Sequence, residues 1–124
     1  MAKRRIPKAA LDLALDAARR VRELEASASR ALHDSGDTAA HRADLTRKCL
    51  VLEALPEEAA DLAGGEDAEG AAAFVAGLED FARRAGMALS LESIFFMGAL
   101  LYPEDYQDGD PNDLERFLGR FEAA

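Results

Sequence analysis

The chain has 124 residues, a formal net charge of −9, 49% hydrophobic and 31% charged residues, two histidines and one cysteine. That length fits one domain and leaves no room for a second, while the balance of apolar and charged residues excludes a disordered chain. The lone Cys49 cannot close an internal disulfide, and the longest apolar run, Ile94 to Tyr102, is too short for a bilayer, so a cytoplasmic protein without a membrane partner is expected.

Alanine fills 27 positions and leucine 17, a bias toward helix, because both side chains lose little rotamer freedom there. The expected fold is all-α, one domain over 1–124: an elongated bundle of about five helices, the first one long. Charge is unevenly spread. Residues 1–50 hold 11 Lys/Arg against 7 Asp/Glu, and residues 51–124 hold 4 against 17, so a +4 half faces a −13 half. Opposed halves of this kind attract within a fold or between subunits, and the acidic half disfavours wrapping nucleic acid.

A basic arm, residues 1–7, leads to Pro7, suited to a first helical turn. Ala10, Ala14, Ala17, Val21, Leu24, Ala28 and Ala31 then recur at alternating spacings of four and three, predicting a helix from Lys8 to His33. Its 26 residues would extend roughly 39 Å, long for a chain of this size, so the helix either runs the length of the bundle or pairs with a copy.

After "DSGDT", Asp37 or Thr38 can cap a second helix, on which His41, Leu45, Cys49, Leu52 and Leu55 share a face. Pro56 predicts a kink or restart there, and Gly64–Gly65 ends the element. A third helix is expected from Ala68 to Ala85 with Gly86 as its end. A fourth, capped by Ser90, is expected to run through the apolar stretch to just before Pro103. No strand pattern stands out.

The fourth segment is apolar around nearly its whole circumference. Ile94, Phe95, Phe96, Met97, Leu100 and Leu101 are therefore candidates for an interface, unless they form the monomer core. Residues 102–110 read as an acidic interhelical connector. As a calcium loop centred on Gly109 it places Tyr106 where an oxygen ligand belongs, so Asp110 as cap and Pro111 as first residue of a fifth helix explain it better. Leu114, Phe117, Leu118 and Phe121 begin that helix's apolar stripe.

Chemical sites are sparse. His33, Asp37, His41 and Asp44 are weak metal candidates around the first hairpin, but the Glu-x-x-His pairs of di-iron bundles are missing. No catalytic residues or cofactor are expected. Arg4, Arg5, Arg19, Arg20 and Arg22 form the candidate basic surface.

The leading expectation is a non-catalytic helical protein acting by self-association, as a dimer, and by protein–protein interaction. The alternatives are a nucleic-acid-associated accessory protein using the basic surface, and a metal-dependent helical enzyme or sensor.

Overall fold

The computed structural model describes residues 3–124, so the first two residues of the basic arm lie outside the described ones. It is an elongated all-α bundle of five helices: α1 (Lys8–His33), α2 (Thr38–Ala60), α3 (Ala68–Ser90), α4 (Ile94–Ala99) and α5 (Asp113–Leu118), of which α1 is the longest. Two three-residue strands, β1 (Arg4–Ile6) and β2 (Phe121–Ala123), pair in parallel, with Arg4 opposite Phe121 and Ile6 opposite Ala123. They correct the expectation of a fold without strands, although they are too small to change its class.

Three long helices make one layer, with α2 packed along both α1 and α3. Against that layer lie α4, the turns after it, α5 and the ribbon, whose β1 packs on α3 and β2 on α1. Between the layers sits one core, in which Val21, Leu52, Leu55, Phe74, Leu78 and Leu114 are sealed from solvent.

Local chemistry explains where the helices begin. Asp37 caps α2 by accepting from Ala40 N at 3.0 Å, as its position suggests. Asp67 does the same for α3 through Gly70 N at 2.8 Å. Ser93, not Ser90, caps α4: Ser90 Oγ instead donates back to Met87 O at 2.9 Å, and Glu92 breaks the chain direction with φ 51°.

For α5 the cap is Asn112 rather than Asp110. Its side chain accepts from Glu115 N at 2.9 Å while the Glu115 carboxylate accepts from Asn112 N at 2.8 Å, a reciprocal capping box that Asp110 cannot form. Asp110 turns to the Gln107 amide at 3.2 Å.

Four helix ends also differ from expectation, and the last of them is α5, which stops at Leu118 and leaves Phe121, expected on its apolar stripe, to β2. α2 runs as one element through Pro56 to Ala60 without a restart, because Leu52, Leu55 and Ala59 stay buried on one continuous face. α3 passes through Gly86 and runs on to Ser90, and a Cβ at Gly86 would meet only the exposed end of the Glu53 side chain, 2.8 Å from Oε2. α4 stops at Ala99, and Leu101 follows with φ 81°, an arrangement costing about 1–2 kcal/mol for a non-glycine residue.

Candidate functional site

What holds Leu101 in that conformation is a polar network beneath α4. Lys48, on α2, is completely buried, with its ammonium donating to Leu100 O at 2.9 Å and lying 3.4 Å from Gly98 O. The positive charge thus sits on the last carbonyls of α4, where a cation is favoured. Its counter-charge is Glu25 of α1, with Oε2 2.8 Å from Nζ, and Tyr102 lays its ring 5.4 Å from the same ammonium.

The Tyr102 hydroxyl donates to Glu25 Oε1. Desolvation first, and then the adjacent Glu25 carboxylate, pushes the Tyr102 phenol well above its ordinary range, so it remains a donor. Asp113 N completes the brace by donating to Leu101 O at 2.9 Å.

One turn earlier on α1, Arg22 joins the same region to α5. Nη2 and Nε reach the two Glu115 oxygens at 2.6 and 3.1 Å, Nη2 also donates to Asp110 O at 3.1 Å, and Nη1 approaches the Tyr102 and Tyr106 hydroxyls at 3.3 Å each. This two-point pairing holds Glu115 below its ordinary carboxylate range and raises Arg22 further. Arg22 was expected on the basic surface; it is instead a partly buried strut. No motif marks Lys48 in the sequence, although its spacing of three from Leu45 and four from Leu52 places it on α2's buried face.

Above this rigid base α4 presents an apolar shoulder. Phe95 and Phe96 are 75% and 53% exposed, with ring centroids 5.5 Å apart, and the end of α3 adds Met87 and Leu91 at 61% and 59%. A hollow flanks α4 on each side. The smaller, about 270 Å³, is bounded by Arg84, Met87, Leu91, Phe96 and Leu100. The larger, about 580 Å³, is bounded by Glu25, Ala28, His41, Phe95, Gly98 and Tyr102. The six candidate interface residues therefore divide: Met97, Leu100 and Leu101 are buried, Ile94 is half-buried, and Phe95 and Phe96 project.

The other sequence candidates have partners elsewhere. Asp37 is occupied as a cap, His41 Nδ1 lies 2.8 Å from Ala28 O, and Asp44 accepts from Ser27 Oγ at 2.6 Å and pairs with Arg47 at 2.9 Å. His33 is exposed on the rim of the larger hollow. Among the described residues no group of three or more His, Cys, Asp or Glu side chains is arranged to hold a metal ion.

Of the basic set, Arg4 lies 3.6 Å from Glu69, Arg5 3.4 Å from Glu122 and Arg19 2.9 Å from Asp16. Arg20 borders a groove between α1 and α2. Beyond the acidic connector, Glu115 of α5 pairs with Arg22.

Cys49 is buried in the core, and burial pushes its thiol up, so it packs as a small apolar side chain. No described helix is long and apolar enough to cross a membrane. Comparison of the chain with protein-family models, curated proteins and solved structures finds no match.

Proposed function

We propose that this chain is a non-catalytic interaction protein that works by self-association, with the α4 shoulder as its two-fold contact. The observation that carries the reading is the pairing of knob and hole on one surface. Phe95 and Phe96 project between two unfilled hollows, and a two-fold interface requires a single patch that contains both complementary shapes. Contiguous exposed aromatic and thioether side chains are also unusual on a surface that meets only water.

Electrostatics favour the same patch. The hollows are lined by one carboxylate, Glu25, already neutralised by Lys48, and by the cation Arg84, so two chains of net charge −9 can approach here with little mutual repulsion.

Sedimentation velocity tests the reading. The double substitution Phe95→Ser with Phe96→Ser should abolish the shoulder's association at micromolar concentration and leave helical content unchanged. A wild-type protein that stays monomeric, or one whose association ignores both substitutions, overturns it.

A further inference from the structure

A second face of the bundle, on the opposite side from α4's cover, carries its own arrangement. Along α1 and α2 runs an open groove of about 470 Å³, with Leu13, Ala17, Leu50, Val51 and Ala54 among its apolar lining. Leu50 is 51% exposed although it lies within this apolar strip. Four charged residues border the groove: Asp16, Arg20, Arg47 and Glu58.

Their order along the groove follows from the antiparallel register of the two helices. Glu25 meets Lys48, Ser27 meets Asp44, and Ala28 meets His41 across the hairpin. That register puts Arg47 beside the Glu25 end and Glu58 near Leu13. One end of the groove is therefore acidic, with Glu58 and Asp16, and the other basic, with Arg20 and Arg47. The lining charges cancel, in contrast to the chain's −9.

We infer that this groove is a separate docking surface for a second copy of this chain, set antiparallel across a two-fold axis through its centre. In that arrangement the acidic end of each copy faces the basic end of the other, so Asp16 meets Arg20 and Glu58 meets Arg47, each twice. A parallel arrangement would set like charges against like. The α1–α2 hairpins of the two copies then form a four-helix layer that encloses Leu50, which the monomer leaves half in water.

The intrachain pairs of Asp16 with Arg19 and of Arg47 with Asp44 are solvent-facing on their long-chain side and leave oxygens and N–H groups free for a partner. This groove is independent of the shoulder, and a chain with both faces assembles beyond a dimer.

The test uses the full chain with the shoulder disabled by Phe95→Ser and Phe96→Ser. By sedimentation velocity this variant should still form a dimer, with twice the 13.3 kDa chain mass. Adding Arg20→Glu should weaken that dimer about tenfold or more, because like charges then meet twice across the axis. Adding Asp16→Arg as well should restore it, since the exchanged charges are again complementary, a rescue that damage to folding would not give.

Leu50→Glu in the same background should yield monomer with unchanged circular dichroism. A shoulder-disabled protein that is already monomeric overturns the groove interface and leaves the shoulder reading standing. Indifference to Leu50→Glu, or failure of the charge exchange to rescue, also overturns the groove interface.

Discussion

Lys48 carries a full charge onto the buried face of α2, and its value to the fold lies in what it neutralises. Removing the ammonium by Lys48→Ala strands the Glu25 carboxylate, whose side chain is only 16% exposed, and releases the last carbonyls of α4. Loss of one partner of a buried pair costs about 3–5 kcal/mol, which urea unfolding will register. Lys48→Met combined with Glu25→Gln should recover most of the loss, because the double variant buries no unpaired charge.

Glu115 behaves differently because it stays ionised in ordinary conditions. Its folded value lies below its ordinary 4.5, set first by the Arg22 hydrogen bonds, so on acidification the unfolded chain takes up its proton before the folded chain does. The stability from this pair is therefore complete above pH 4.5 and drains away as pH falls through the lowered folded value. Glu115→Gln should flatten that part of a stability–pH curve measured by urea midpoints, while lowering stability at neutral pH. None of these partnerships was legible from local sequence: Glu25, Lys48, Tyr102 and Glu115 come from four segments, and only the spacing of Lys48 hinted at burial.

Among the elements, α3 and α5 meet where Gly77 lies under Phe117. A Cβ at Gly77 would collide with the tip of the Phe117 ring, which cannot easily withdraw because Phe81 and Phe121 stand against it at 5.8 and 5.2 Å between centroids. Gly77→Ala should therefore lower the thermal midpoint, the overpacking penalty of about 1–3 kcal/mol exceeding the gain of about 1 kcal/mol from better helix propensity.

The long helices were readable because apolar residues repeat at the helical period over several turns and because Asp37 stands at a usable cap. The short ones were not. An apolar run from Ile94 to Tyr102 looks like a continuous helix, yet the chain leaves helical geometry after Ala99, where Lys48 and the Asp113 amide capture Leu100 and Leu101. Contacts from distant segments decide that boundary. The projecting pair within the shoulder, Phe95 and Phe96, could not be told from Met97 by composition, because all three belong to one apolar run and only tertiary packing separates them.

At the scale of the molecule, two layers share one interior, and the ribbon closes its open end. Phe121 of β2 is buried edge-on against Phe74 at 5.2 Å, and Ile6 of β1 is almost fully enclosed. Phe121→Ala should cost about 3–5 kcal/mol, seen as a shift of the urea midpoint without loss of cooperativity. The strands themselves were invisible in the sequence because three residues are too few to display alternation, and each gains its partner only from the far end of the chain.

That pairing has a kinetic meaning. Arg5 and Glu122 are 117 positions apart, so no local segment can nucleate the ribbon, and its formation must await the docking of the helices that bring its strands together. The ribbon is therefore the last clasp to fasten. By the same reasoning it should be among the first parts to open, with the amides of Arg4 and Ala124, bonded to Arg120 O and Ile6 O, exchanging with solvent well ahead of those in the centre of α2.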